Sequence, residues 1–295
     1  MSAKTLKQLV IGLPRTGKTT FIAALGHVVE SGEIPTSLQL VEMGDVRDHI
    51  NATSKDWVGY REVDRTSLYT EKTVVMKLAS PEGDHVTEIL FPDMAGESFE
   101  RHWKDREWSK EYDDLAREAS GILLFIHPDK VVEPLGIDSV RQLEAKIDSE
   151  GSEEGLSESH QKADTIELTP WNLDMVPTGV QLVELLQFFM LRPHIYPISR
   201  IAIIISAWDK LSDVFTDPYT WLSASIPLLD QFLKAGRNRV PFRVYGISAL
   251  GGDLNDENDV AWMQNQDQPS DRITVVGDDC LPHDITAPIK WLMGI

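Results

Sequence analysis

A short segment near the start of the chain has the residue types and spacing needed to hold a row of phosphates. Gly12–Thr19 reads GLPRTGKT, with a glycine at each end of a loop followed by a lysine and a threonine. Glycines let backbone N–H groups turn towards a β-phosphate, a lysine reaches the β- and γ-phosphates, and a threonine hydroxyl can ligate Mg²⁺. The segment therefore predicts a nucleoside triphosphate site with Mg²⁺. Its expected binding residues are Gly12, Pro14, Arg15, Thr16, Gly17, Lys18, Thr19 and Thr20, with Lys18 also catalytic and Thr19 a metal ligand.

The elements on either side of this loop fit its chemistry. Leu6–Ile11 is a short apolar run typical of a buried strand, and helical periodicity follows from Lys18 to about Val29. A helix that begins at Lys18 points the positive end of its dipole at the phosphates. The loop therefore lies where its mechanism requires, between a strand and a helix.

A predicted hairpin leads to a second candidate site. Residues 72–78 and 85–91 are strand candidates joined by a short turn, so they must be antiparallel neighbours. Asp93 and Gly96 follow directly, within the sequence Pro92-Asp93-Met94-Ala95-Gly96-Glu97. An aspartate at the end of a strand can hold Mg²⁺, and a glycine three residues later lets its N–H approach a γ-phosphate. We expect Asp93 to be a metal ligand and Gly96 to sense the γ-phosphate.

The remaining regular segments predict the fold. Residues 121–127, 200–206 and 240–247 are further apolar strands, and helices are predicted at 179–191, 219–234 and 285–293. Continuous apolar strands that alternate with helices indicate an α/β fold. We predict a mixed, mostly parallel six-stranded sheet with an antiparallel hairpin strand and helices on both faces. Residues 1–295 would form a single domain with acidic insertions at about 130–198 and 251–283.

In its order of motifs the chain resembles the Ras-like and Gα-like P-loop GTPases related to translation factors. That family reads guanine with [NT]-K-x-D after a buried strand, where this chain has Ser206-Ala207-Trp208-Asp209. The resemblance implies that Asp209 accepts hydrogen bonds from guanine, although Ala207 replaces the lysine of the family. It also implies that Ser248 and Ala249 offer backbone groups to the base. The bound nucleotide would then be GTP or GDP.

The resemblance also assigns residues to switching and hydrolysis. Thr66, or alternatively Thr70, would complete the Mg²⁺ shell, and Arg65 or Arg61 could act as an arginine finger or be a plain loop arginine. Glu97 stands where many relatives have a glutamine that orients water. Because its charge opposes the γ-phosphate, we expect slow hydrolysis unless an arginine or a partner compensates.

A narrower resemblance is to the bacterial double-GTPase families of conflict systems, which have tryptophan-rich chains and a Pro-x-x-Trp-Leu end, here Pro288–Leu292. It implies a protein effector or a partner GTPase. Trp103 and Trp108 could form a patch for such a partner, or could instead pack on the sheet.

Composition limits the partners. The chain has 295 residues and a formal net charge of −19, which opposes binding to nucleic acids and to anionic membranes. The acidity favours either solubility alone or a basic partner. No apolar run approaches the roughly 18 residues of a membrane span, and the single cysteine, Cys280, cannot form an internal disulfide. We therefore expect a cytoplasmic protein without a membrane span, and the sequence leaves open whether it forms an oligomer.

Three functions remain open from the sequence. The first is a regulatory GTPase that acts as a molecular switch, and the second is a nucleotide-binding scaffold that does not hydrolyse GTP. The third is an ATPase or small-molecule kinase that shares only the phosphate loop. The hairpin before Asp93 favours the first over the third. A zinc site is not expected, because the histidines, including His85, His102 and His127, lack metal-ligand spacing with one another and with Cys280.

Overall fold

One mixed β-sheet carries the parallel strands and determines where their carboxyl ends meet. A computed structural model describes residues 5–44, 47–61, 74–92, 102–134, 136, 175–191, 198–235 and 240–295. The strands are β1 (Leu6–Gly12), β2 (Gln39–Met43), β3 (Val74–Ala79), β4 (Val86–Phe91), β5 (Gly121–Ile126), β6 (Arg200–Ser206), β7 (Phe242–Ser248) and β8 (Thr274–Val276). The helices are α1 (Lys18–Ser31), α2 (Arg47–Val58), α3 (Lys110–Glu118), α4 (Thr178–Leu191), α5 (Pro218–Ser225), α6 (Pro227–Ala235), α7 (Glu257–Gln264) and α8 (Ala287–Met293).

The strands lie in the order β2-β3-β4-β1-β5-β6-β7-β8. The neighbours from β4 to β7 run parallel, whereas β2 with β3, β3 with β4, and β7 with β8 are antiparallel. The predicted α/β fold and the hairpin are confirmed. The sheet has eight described strands rather than six, because β2 and β8 were not predicted.

The two additional strands are short and lie at the edges of the sheet. β2 contains the exposed Val41, at which its register with β3 shifts, so its apolar residues show no clean alternation. β8 has only three residues and lies in the acidic stretch that was predicted to be an insertion of turns. That stretch also contains α7, whose N-cap Asp256 accepts hydrogen bonds from the backbone N–H groups of Asn258 and Asp259.

Apolar residues of the central strands alternate between two cores, one on each face of the sheet. Val10 of β1 packs in the core beneath α1, α2 and α8, whereas Leu9 and Ile11 pack in the core beneath α3 to α6. Burial on both faces explains why β5 and β6 read as continuous apolar runs. None of the helices in the described ranges is long and apolar enough to cross a membrane.

The structure corrects the predicted helices in two places. Residues 219–234 form α5 and α6 rather than one helix, because Pro227 has no N–H to donate and disfavours a helical Ile226. α2 lies in a region that was predicted to have little regular structure. It packs closely on α1, where a Cβ on Gly26 would lie 2.5 Å from Ile50 Cγ2.

Candidate nucleotide-binding site

The phosphate loop connects β1 to α1 at the carboxyl edge of the sheet. Gly17 caps α1 with φ 81°, and Arg15 also has a positive φ, of 63°. A Cβ on Gly12 would lie 2.6 Å from the Phe125 carbonyl oxygen of the neighbouring strand, and one on Gly17 would lie 3.1 Å from Ser206 Cβ. These contacts explain physically why glycine is needed at both ends of the loop.

Lys18 and Thr16 shape the inside of this loop. The Lys18 ammonium donates to the carbonyl oxygens of Gly12 at 2.9 Å and Leu13 at 2.7 Å. The buried Thr16 hydroxyl donates to Leu13 O at 2.8 Å. The ammonium therefore folds back over the loop, whose N–H groups and positive charge suit an anion.

A cavity of about 520 Å³ extends from the start of α1 to the ends of β6 and β7. Gly17 and Thr20 line it on the side of the phosphate loop, and Asp209, Ser248 and Ala249 line it at the far end. The volume lies within the usual range for small-molecule and cofactor sites. Two of the residues that were predicted to bind phosphate thus share one cavity with Asp209, whereas Lys18 and Thr19 are not among its lining residues.

Asp209 is held in this cavity by the loop after β7. The Ser248 hydroxyl donates to Asp209 Oδ1 and accepts from Gly251 N at 3.2 Å. Asp209 lies in a one-turn 3₁₀ helix, Trp208–Lys210, which follows Ala207 in the left-handed conformation. A carboxylate has further acceptor sites, so the bond from Ser248 does not use up its capacity to bind a ligand.

Two residues before Asp209 contact the strands on either side of β6. Ser206, at the position of the motif's asparagine or threonine, donates its hydroxyl to Ile126 O at 3.1 Å. Trp208 is buried against β7, where a Cβ on Gly246 would lie 2.3 Å from its ring. These two contacts hold the end of β6 to both of its neighbouring strands.

Three loops meet at Lys210 on the rim of the cavity. Its ammonium contacts Asp129 Oδ2 at 2.6 Å and Asp253 Oδ2 at 3.4 Å. The hydrogen bond with Asp129 raises the pKa of Lys210 and lowers that of Asp129. His127 also lines the cavity, and burial lowers its pKa below 6.5. Sequence reasoning did not assign His127 or Asp253 to the site, because only the sheet brings their loops together, and it did not assign Lys210, which stands one position past Asp209 and not at the lysine position of the motif.

An aromatic layer supports the loop after β7. The Trp57 indole N–H donates to Ala249 O at 2.8 Å, and Tyr60, which lines the cavity, donates to Met263 O at 3.1 Å. The buried Arg272 guanidinium lies 4.0 Å from the Trp57 ring centroid and 4.7 Å from that of Tyr60. Burial lowers the pKa of Arg272 to about 10.

Comparison with known proteins decides the family. A family model described as Double-GTPase 1 matches residues 9–292, nearly the whole chain. The chain belongs to the Double-GTPase 1 family. The predicted resemblance to P-loop GTPases and to double-GTPases is confirmed at this level. Among curated proteins, none matches the sequence.

The solved structures that match the chain include GTPase-like domains. The Ski7 GTPase-like domain of S. cerevisiae bound to GTP is 13% identical, covers 98% of this chain and 50% of its own, and gives a TM-score of 0.46. The same domain bound to GDP and inorganic phosphate is 14% identical over 90% of this chain and 51% of its own, with a TM-score of 0.41. Bacterial selenocysteine-specific elongation factor EF-Sec is 11% identical, covers 88% of this chain and 29% of its own, and gives a TM-score of 0.33. The chain spans about half the length of the first two and less of the third.

The predicted site residues of this double-GTPase divide into two groups. The phosphate-loop residues, Asp209, Ser248 and Ala249 are described above. Arg65, Thr66, Thr70, Asp93, Gly96 and Glu97 lie outside the described residues. The alternative arginine, Arg61, is described and pairs with Asp56 at 3.0 Å.

The two tryptophans after the predicted switch are also described. Trp108 packs among aromatic rings, stacked on Phe188 and edge-on to Tyr112, which favours the packing interpretation over an exposed patch. The Trp103 ring lies 5.3 Å from the Arg106 guanidinium.

The residues that are described fit a magnesium nucleotide at the phosphate loop. Among them, no group of three or more His, Cys, Asp or Glu side chains is arranged to hold a metal. A metal bound as part of a nucleotide does not need such a group, because phosphate oxygens supply ligands beside a threonine hydroxyl. Thr19 follows Lys18 in the first turn of α1, where its hydroxyl is in the position that the phosphate motif gives to the metal ligand.

Proposed function

We propose that this chain binds GTP or GDP with Mg²⁺ in the cavity between the phosphate loop and Asp209, and that it hydrolyses GTP slowly as a switch read by a protein partner. The observation that carries the proposal is that Gly17 and Thr20 line the same cavity as Asp209 and Ser248. A phosphate-binding loop beside one end of the cavity and a carboxylate at its far end would suit the two ends of a guanine nucleotide.

Asp209 would select the base. Guanine carries an N1–H and an exocyclic amine on one edge, and a carboxylate can accept a hydrogen bond from each. Adenine lacks this pair of donors, so the contact discriminates between the two bases. The hydroxyl of Ser248 holds the carboxylate through Oδ1, which fixes the direction in which the remaining acceptor sites point.

Lys18 and the loop would hold the phosphates. On binding, the ammonium would exchange the carbonyl oxygens of Gly12 and Leu13 for phosphate oxygens, which carry more negative charge. Thr19 would ligate Mg²⁺ through its hydroxyl, with Asp93 and Thr66 as the further ligands that the motifs predict. The ion neutralises charge that develops on the phosphates during transfer.

Hydrolysis and switching rest on the motif residues. Gly96 would sense the γ-phosphate, Glu97 would orient the attacking water, and Arg65 would stabilise the charge that develops in the transition state. A negative charge from Glu97 beside the γ-phosphate would oppose the reaction, so we expect a slow intrinsic rate. A partner that supplies positive charge would raise that rate. The net charge of −19 would favour association with a basic protein.

Nucleotide titration tests the binding proposal. Isothermal titration of the purified chain with GDP, GTP, a non-hydrolysable GTP analogue and ATP, with Mg²⁺ and with EDTA, should give tight guanine-nucleotide binding that weakens without Mg²⁺. Lys18→Ala should abolish binding of all nucleotides, and Asp209→Asn should weaken guanine nucleotides selectively. Lys130→Ala is a matched control, since Lys130 is an exposed lysine of a neighbouring loop. Stronger binding of ATP than of GTP would contradict the proposal and favour an ATPase or kinase.

Single-turnover hydrolysis separates the switch from a scaffold. We expect slow release of phosphate from bound GTP, and we expect Glu97→Ala to retain GTP binding and lose turnover. Binding without any hydrolysis by the wild-type chain would favour the non-hydrolysing scaffold, which Ala207 and Glu97 also suit. Unchanged hydrolysis by Glu97→Ala would remove Glu97 from the mechanism.

A further inference from the structure

Lys210 connects the three loops that follow β5, β6 and β7. It lies in the loop after β6, its ammonium contacts Asp129 after β5 at 2.6 Å, and it also contacts Asp253 after β7 at 3.4 Å. Lys210 and Asp253 both line the cavity, whereas Asp129 does not. The bridge thus spans the rim of the cavity next to Asp209.

The backbone couples Lys210 tightly to Asp209. The two residues share the one-turn 3₁₀ helix Trp208–Lys210, in which Lys210 N donates to Ala207 O at 3.1 Å. A displacement of Lys210 would therefore turn the Asp209 carboxylate. Ala207 carries only a methyl group in a left-handed conformation, so it cannot hold this turn with a charged side chain of its own.

We propose that Lys210 is a positioning and specificity-determining residue for the base: by bridging Asp129 and Asp253 it holds the Asp209 carboxylate in the direction that reads the guanine edge. The inference rests on the proposed function. The family motif has a lysine at the position of Ala207. We infer that the bridge from Lys210 supports Asp209 in its place.

The ion pairs of Lys210 are expected to contribute little to the stability of the fold. Ion pairs between partly exposed side chains add little to the free energy of folding, because water and salt screen them. The side chain of Lys210 is 35% exposed and that of Asp129 is 48% exposed. An effect of the bridge should therefore be measured as selectivity between bases rather than as a change in melting temperature.

Inosine diphosphate provides the sharpest probe, because it differs from GDP only by lacking the exocyclic amine. If Asp209 accepts from that amine, the wild-type chain should bind GDP about tenfold more tightly than inosine diphosphate, measured by displacement of a fluorescent GDP analogue. Lys210→Met keeps most of the apolar stem and removes the ammonium. We expect this variant to reduce the preference to about twofold, mainly by weakening GDP binding.

Asp129→Asn and Lys130→Met complete the design. Asp129 lies outside the cavity lining, so a reduced preference in Asp129→Asn comes from the lost bridge and not from a lost contact with the nucleotide. Lys130→Met makes the same substitution on an exposed neighbouring lysine and should keep the wild-type preference. Thermal denaturation of all variants verifies that they are folded.

The possible outcomes separate the inference from the function on which it rests. If the wild-type chain binds neither GDP nor inosine diphosphate, the proposed function fails, and the inference with it. If the wild-type chain prefers GDP and both bridge variants keep that preference, the inference alone is overturned. A loss of preference in Lys210→Met without a loss in Asp129→Asn would also overturn the bridging role, because it would assign the effect to direct contact with the base.

Discussion

Replacing Gly17 by alanine tests how the start of α1 holds the phosphate loop. Gly17 has φ 81° and ψ 8°, a left-handed conformation that costs a non-glycine residue about 1–2 kcal/mol. A Cβ there would also lie 3.1 Å from Ser206 Cβ and 3.2 Å from Ser206 Oγ, which is closer than ordinary contact. Since the loop must shift to relieve this crowding, we expect Gly17→Ala to weaken nucleotide binding as well as the fold.

Gly32→Ala is the matched control on the same helix. Gly32 caps the carboxyl end of α1 with φ 66°, and a Cβ there would have nothing within 4 Å. Gly32→Ala therefore introduces similar backbone strain, but at the end of α1 that lies away from the phosphate loop. The two variants share the conformational cost and differ in the contact with Ser206.

The expected magnitudes follow from these geometries. Both variants should lower the free energy of unfolding by about 1–2 kcal/mol, measured by urea denaturation without nucleotide. A loop shift that loses two charge-assisted hydrogen bonds to phosphate, at about 1.5 kcal/mol each, should raise the Kd for GDP roughly 100-fold in Gly17→Ala alone. An unchanged Kd in Gly17→Ala, or an equal loss of affinity in Gly32→Ala, would refute the reasoning.

Two further predictions concern residues near the Asp209 end of the cavity. Trp57→Phe removes the donor to Ala249 O and should lower the free energy of unfolding by about 1–3 kcal/mol in urea denaturation; an unaltered midpoint and slope would contradict a structural role for this bond. Burial lowers the pKa of His127 in the folded state, so the unfolded chain binds more protons as the pH falls below 6.5 and stability decreases there. Denaturation midpoints between pH 7 and 5 should fall less steeply for His127→Gln than for the wild-type chain, and parallel curves would rule out His127 as the cause.

The unit of β1, loop and α1 that carries the phosphate motif could be predicted from sequence because its parts are local. The strand, loop and helix between Leu6 and Ser31 are contiguous, and the glycine and lysine positions follow directly from phosphate chemistry. Apolar runs likewise predicted β5 and β6, which are buried on both faces. In each case the signal and the structure lie within the same short stretch of chain.

The surroundings of Asp209 could be predicted only in part, because their contacts join distant segments. Asp209 was proposed from the family motif, but its partner Ser248 and the bridge from Lys210 to Asp253 depend on how three strands end beside one another. α2 was missed for a related reason. It is a polar helix whose burial rests on single residues such as Trp57 and on the close approach that Gly26 allows.

The packing of Trp208 on Gly246 restricts which sequences this site can accept. The two residues occupy one space, since a Cβ on Gly246 would lie 2.3 Å from the indole ring, and glycine is otherwise unfavourable inside a strand. A side chain at position 246 therefore requires a smaller residue at position 208, next to Asp209. Among related sequences these two positions should vary together, so that a substitution at position 246 of β7 requires a change in the residue that precedes Asp209.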